Sequence, residues 1–366
     1  MGTISTVGLD LAKSVFQVHA VDPQGGVVLK RKLRRADVAG FFASLPPCVV
    51  GMEACGTAHH WARQIEGMGH AVRLVPTQYV APFVKRGKTD AADAEAIAIA
   101  ASQPSIRPVA IKTIEQQCLL VPHRVREILI TQRTQTINAI RSHLSELGII
   151  APAGEIGVRA LIAVVGNEDD ARVPAAIRLS LKVFVMQLES IAQGLAAVES
   201  EIAKAHAADA LSQRLDTIPG IAALTATAFS ASVGDATRFK SGRSFSAWLG
   251  LTPEITGSGG KVVLGEITRA GDKYLRRLLY TGALSVVVLA KRKPKDHPWL
   301  TKLLGKLKFK QVVIAQANKM ARIVWALMVR GGIYEPGHQA AVRGARAAGK
   351  EQERGSAMTE FVARPA

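Results

Sequence analysis

Cysteine is scarce in this chain of 366 residues: Cys48, Cys55 and Cys118 are the only three, with no CxxC or Cys/His ligand spacing among them. That excludes a disulfide framework and a zinc site of ordinary spacing, and it suits a reduced, intracellular setting. Acidic residues are also few, 29 against 47 Lys and Arg, which leaves a formal net charge of +18. Such a balance points to a polyanionic partner, nucleic acid before membrane. Long apolar runs are missing as well. The longest, near Ala283 to Ala290, is too short to cross a bilayer, and Asp10 interrupts the first apolar stretch, unlike a signal peptide. A cytoplasmic protein with no membrane partner is the expectation.

What is present is unevenly placed. Arg238 to Arg330 holds 19 basic and 4 acidic residues, a surplus of 15. One segment thus carries most of the electrostatic footprint and is where phosphate contacts are expected. The length has room for two or three domains with a large buried core.

The first hundred residues alternate strands and helices. Ile4 to Leu9, Val15 to Val21, Val27 to Leu29, Val49 to Met52 and Ala71 to Val75 read as strands. Ala36 to Leu45 and Ala58 to Met68 read as helices. That spacing indicates an α/β layer on a mixed sheet. Asp10 and Glu53 each close an apolar strand. Downstream, Thr89 is a plausible N-cap for a helix whose first turn holds Asp90 and Asp93, three apart and so on one face. Two acids at a helix start can simply complement its dipole. Asp10 and Glu53 add the second reading: four converging carboxylates repel one another unless a hard cation such as Mg²⁺, in one or two ions, neutralises them. Lys85, Arg86 and Lys88 would hold a polyanion over that site. Two strand ends and a helix start are the arrangement an RNase H-like fold needs.

From Gln116 to Leu147 the pattern turns helical, with Pro122 early and Gly148 as the stop. Leu181, Phe184, Leu188, Ile191, Leu195, Val198 and Ile202 then alternate steps of three and four, as an a/d seam does. The seam fits either a helix packed inside its own domain or an antiparallel or intersubunit coiled coil. Ile218-Pro219-Gly220-Ile221 resembles the turn of a helix-hairpin-helix element, whose following helix start can grip a phosphate. Gly257-Ser258-Gly259-Gly260-Lys261 reads as a glycine loop that exposes a hydroxyl, with Thr252 and Thr256 carrying others nearby. Nucleic-acid contacts are expected at Gly220, Lys240, Arg243, Gly259, Lys261, Arg269, Lys273, Arg276 and Arg277. Lys310 to Met328 resumes an amphipathic helix, and the chain after Gly337 is read as disordered.

Gly8-Leu9-Asp10, Met52-Glu53 and Lys88-Thr89-Asp90-Ala91-Ala92-Asp93-Ala94 resemble the four-acid motif of insertion-sequence transposases related to the Piv/MooV invertases. The helix from Arg133 to Gly148 resembles that family's linking region. Ile218-Pro219-Gly220-Ile221, Gly250-Leu251-Thr252-Pro253, Ser258-Gly259-Gly260-Lys261 and Leu275-Arg276-Arg277-Leu278 resemble its C-terminal signature. The match runs in order from about residue 4 to residue 330. It implies a RuvC-like DEDD domain at 1–110, a helical linker or coiled coil at 111–210, and a basic serine transposase domain at 211–335, with a tail at 336–366. The fold class is then α/β plus mostly α. The resemblance further implies a DNA recombinase moving its own element, with Asp10, Glu53, Asp90 and Asp93 on Mg²⁺. In it, Ser258 is the nucleophile of a composite site shared between subunits of a homo-oligomer. Some members are guided by a structured RNA, in which case the basic surface binds RNA as well as DNA. The competing reading is a metal-dependent, junction-resolvase-like nuclease with no covalent intermediate.

Overall fold

A computed structural model describes residues 3–84, 89–257 and 263–336. The chain divides into two units, Met1–Val121 with Ala231–Asp235, and Pro122–Ser230 with Ala236–Ala366.

The first unit is an α/β layer. Its elements are β1 (Thr6–Asp10), β2 (Val15–Val21), β3 (Val27–Arg34), α1 (Val38–Ala43), β4 (Val49–Glu53), α2 (Ala58–Glu66), β5 (Ala71–Val75), α3 (Thr77–Val80) and α4 (Asp90–Ser102). The five strands form one mixed sheet in the order β3-β2-β1-β4-β5. β1 pairs antiparallel with β2 and parallel with β4, and β4 pairs parallel with β5. Its central position explains why Val7 and Leu9 are fully buried. On one side they meet Phe16, Phe42, Trp61 and Ile65 in a common core. β3 runs on to Arg34, past the Leu29 expected from its apolar run. It is an edge strand whose Lys30, Arg31 and Lys32 still pair with β2 while pointing charge outward.

The helix α5 (Ile114–Ser145) contains the division between the units, and Pro122 lies inside it. There follow α6 (Glu155–Gly166) and the long α7 (Ala175–Ala208). Within the second unit α7 lies antiparallel to α5: Arg126 pairs with Glu199, Thr136 meets Gln187, and His143 stacks on Phe184. Leu181 and Leu188 of the seam are buried against Ile140 and Leu144. Over these residues the seam packs against a helix of its own chain. Shedding apolar surface intramolecularly avoids the entropy loss of association.

The remaining elements are α8 (Ala210–Asp216), α9 (Ala223–Val233), α10 (Gly242–Trp248), β6 (Pro253–Thr256), β7 (Val263–Ile267), α11 (Lys273–Arg292), α12 (Pro298–Leu304) and α13 (Phe309–Arg330). β6 and β7 pair antiparallel, with Thr256 opposite Val263, on either side of the stretch read as a glycine loop, most of which lies outside the described residues. Both strands are exposed, so no alternation of buried and exposed residues marked them in the sequence. α7 and α13 are long and apolar enough, by length and composition, to cross a membrane, which a search for unbroken apolar runs passes over. In α13 the apolar residues are those of a core helix: Val313, Ala317, Met320, Val324 and Leu327 recur at helical spacing and are buried.

Candidate active site

β1 and β4 run parallel with Gly8 opposite Gly51, and each glycine is followed by an apolar residue and an acid, Leu9-Asp10 and Met52-Glu53. Residues two apart on a strand share a face, so Asp10 and Glu53 emerge on the side of the two glycines. Helix α4 rests on that side. A Cβ at Gly8 would stand 2.1 Å from the Ala94 carbonyl oxygen, and one at Gly51 would stand 2.3 Å from the Ala101 Cβ. The helix thus lies on bare strand backbone, which only glycine permits. Its alanines pack in turn: Ala94, Ala98 and Ala101 are all buried.

The start of α4 is set locally. Thr89 adopts an extended conformation and its Oγ1 accepts from the Ala92 N–H at 3.3 Å. Asp90 and Asp93 therefore fall in the first turn, near the positive end of the helix dipole. Asp90 lies one helical step above Ala94, and Asp93 one step above Ile97, so both extend the packed face toward the strand ends.

These placements bring the four carboxylates into electrostatic reach. Asp10 is half-buried, and its pKa rises from 3.8 to about 6; burial is the largest cause, followed by the charges of Asp93, Asp90 and Glu53, while the Leu11 N–H acts in the lowering direction. Glu53 Oε1 accepts a hydrogen bond from Thr77 Oγ1 at 2.5 Å. Thr77, at the start of α3, was not singled out in the sequence, where a threonine after Pro76 carries no signal. Among the described residues, no three acidic, histidine or cysteine side chains close on one point as they stand. The convergence is one of charge rather than of ligation distance. The donor set nonetheless fits a hard divalent cation: it is carboxylate oxygen alone, and such a cation would relieve the repulsion felt at Asp10.

Residues 7–149 match a DEDD transposase family model of the IS110 type, and residues 212–297 match the transposase IS116/IS110/IS902 family. A probable family 20 transposase of Pseudomonas aeruginosa is 46% identical over 336 residues, covering 91% of this chain and 99% of that protein. The chain belongs to the IS116/IS110/IS902 transposase family. The transposase of element IS1111A from Coxiella burnetii is 38% identical across 92% of this chain and 93% of its own length. That of IS1328 from Yersinia enterocolitica is 35% identical across 91% and 99%. This protein is accordingly a DNA transposase, and its match to the DEDD type points to a divalent metal.

The other candidate residues of the transposase are scattered over the second unit. Ser258, Gly259 and Lys261, with Lys85, Arg86 and Lys88 of the first unit, lie outside the described residues. Lys240, Arg243 and Lys273 are exposed. Three of the arginines are held by the protein itself. Arg276 donates to the carbonyls of Leu249 and Ala270 at 3.0 and 2.6 Å, Arg277 pairs with Glu127, and Arg269 pairs with Glu266. Gly220, at φ +87°, faces Gly282 of α11, where a Cβ would come 2.6 Å from the Gly282 oxygen. Its lack of a side chain thus serves packing of the Ile218–Ile221 turn on α11. A similar approach joins Gly271 to the Trp248 carbonyl, where a Cβ would sit 1.9 Å away.

Proposed function

We propose that this transposase is a site-specific recombinase that moves its own insertion element, with an RNase H-like (RuvC-like) first unit and a serine nucleophile in the second. The observation that carries the reading is the set of three carboxylates, Glu53, Asp90 and Asp93, whose charges act on Asp10. Read along the chain, the four spell Asp, Glu, Asp, Asp, the order in the name of the matched family.

Asp10, Glu53, Asp90 and Asp93 would hold Mg²⁺, which supplies Lewis-acid activation of a phosphodiester when bound. The chain's own residues do the rest. Lys85, Arg86 and Lys88 precede α4 and counter the phosphate charge as DNA is drawn toward four carboxylates. The exposed Lys240, Arg243 and Lys273 bind backbone phosphate in the second unit, and the N-terminus of α9 after Gly220 adds its helix dipole to that surface. Arg269, Arg276 and Arg277 contribute by shaping that surface. The Ser258 oxygen bonds to phosphorus as the bridging oxygen of the cut strand leaves, and the terminal oxygen of the incoming strand then displaces serine. The phosphodiester energy is retained through the exchange. Two such centres acting on two duplexes call for a homo-oligomer in the bacterial cytoplasm. A structured guide RNA, if bound by the same basic surface, would add base pairing as a source of specificity.

The test is to trap reactions of wild type, Ser258→Ala and Asp10→Ala on element-junction DNA with magnesium, with and without copurifying RNA, under denaturing conditions. Protein-linked DNA in wild type that both substitutions abolish is the expected result. Cleavage with no adduct that survives Ser258→Ala would instead mean a nuclease working through the carboxylates and water.

A further inference from the structure

The second unit contains a cavity of about 1430 Å³ that the activity above does not use. It exceeds the roughly 300–1,000 Å³ of ordinary small-molecule sites. The β6–β7 hairpin forms one wall through Leu264 and Ile267, and α13 forms the floor. Two rings face in from other elements: Tyr280 on α11 and Trp299 on α12. Trp299 stays 40% exposed although Lys319 places its Nζ 4.6 Å from the indole centre. Cations line the floor. Lys310, Lys319 and Arg322 stand on one helix: Lys319 and Arg322, three apart, share a face, and Lys310 lies about 18 Å along the axis from Arg322 at 1.5 Å per residue. The single acid of the lining, Glu266, is already paired with Arg269.

An apolar slot with two rings beside several positive charges matches a flat apolar group attached to a chain of phosphates. A base inside a duplex has both faces covered by its neighbours and offers the rings nothing. A base out of the stack offers a face to each ring, at little cost in sequence preference. The segment joining β6 to β7 carries Ser258, the nucleophile of the reading proposed above, six residues before Leu264 in the sequence. We propose that this cavity receives an unpaired nucleotide of the strand being exchanged, stacked on Trp299 and Tyr280, with its flanking phosphates along Lys310, Lys319 and Arg322. The proposal rests on the reading of the protein as one that acts on DNA. It adds how the strand is gripped beside the cut.

The test compares two DNA duplexes of one sequence at one salt concentration, one fully paired and one with a single unpaired 2-aminopurine; the same pair is made in RNA. Wild type should bind the unpaired DNA at least about five-fold more tightly, the lower end of what stacking one base is worth, and quench the 2-aminopurine. Trp299→Ala should lose that preference and the quenching while its affinity for the paired duplex is little changed; Trp299→Phe should keep most of both. In the unaltered protein, an unpaired 5-iodouracil should photo-crosslink to Trp299 or Tyr280. Equal affinity of wild type for the two duplexes would overturn the proposal. So would an equal loss on both with Trp299→Ala, or a crosslink from the 5-iodouracil that forms at other residues and not at Trp299 or Tyr280. A preference seen only in the RNA pair would move the site from the exchanged strand to a guide. Failure to bind either DNA would remove the DNA-acting reading itself, a result distinct from these.

Discussion

Replacing Gly8 by alanine adds one methyl group where β1 supports α4. That methyl would lie 2.1 Å from the Ala94 oxygen, 2.6 Å from the Ala98 nitrogen and 2.9 Å from the Ala98 Cβ. Favourable contact between nonbonded carbons begins near 3.5 Å, so the helix must retreat by about 1 Å. Two of the three obstructing atoms are backbone, so Ala98→Gly relieves only part of the strain and Ala94→Gly relieves none. Overpacking of this kind costs about 1–3 kcal/mol, a fall in Tm of about 3–9 °C for a unit of this size. The functional loss should be larger than the stability loss suggests. The retreating helix carries Asp90 and Asp93 away from Asp10, and a misplacement of about 1 Å in a catalytic constellation costs about 10²-fold. Gly56→Ala is the control, because a Cβ there meets nothing within 4 Å. Thermal unfolding by circular dichroism and strand cleavage in magnesium, measured on the same preparations, decide the matter. If Gly8→Ala matched Gly56→Ala in both, the packing of α4 on bare backbone would not be what sets the carboxylate geometry.

Two further outcomes follow from the titrating groups. The raised pKa of Asp10 destabilises the folded, metal-free protein above about pH 6, an effect that fades as pH falls toward 3.8. Asp10→Asn in EDTA should therefore unfold at a higher denaturant concentration at pH 7.5, by about 1 kcal/mol once solvent screening reduces the upper bound of about 3. At pH 4 the two proteins should coincide, and a less stable variant at pH 7.5 would contradict the repulsion. His123 has the opposite linkage. It is 1% exposed and hydrogen-bonded to Tyr274 and Thr227, and burial, with Arg126 second, lowers its pKa from 6.5 to about 4. The unfolded chain takes up the proton first, so stability is lost as pH falls from 6.5 toward 4. His123→Gln should gain on wild type by up to about 3 kcal/mol between pH 7 and pH 4. Urea unfolding followed by tryptophan fluorescence reads this; an unchanged difference would show that His123 does not titrate.

Much of the first unit was legible from neighbours along the chain. The apolar runs that end at Asp10 and Glu53 are strands because a central strand buries both faces, and Thr89 starts α4 because its hydroxyl reaches an N–H three residues on. The glycine two residues before each acid, Gly8 and Gly51, is a further local signal, marking where a helix can rest on the strand. β3 extends beyond its apolar run because an edge strand tolerates charge. The β6–β7 hairpin leaves no pattern in the sequence because neither strand buries a face.

Local pattern thus determined which segments are strands or helices, where the acids sit on them, how the charge is distributed and, through motifs in order, the transposase family. Three things waited for the tertiary structure. The partner of the α7 seam is α5 of the same chain, a choice that period cannot make, since an a/d stripe accepts any matching helix. Arg269, Arg276 and Arg277 are engaged by the protein's own carbonyls and acids, though in sequence they look like free cations. The meeting of Asp10 with Asp93, and of Trp299 with Lys319, joins residues 83 and 20 positions apart. Periodicity reports only what lies within a turn or two, whereas these pairs exist because a helix packs on two glycines or a short helix packs beside a long one, which is decided by the shape of the whole unit.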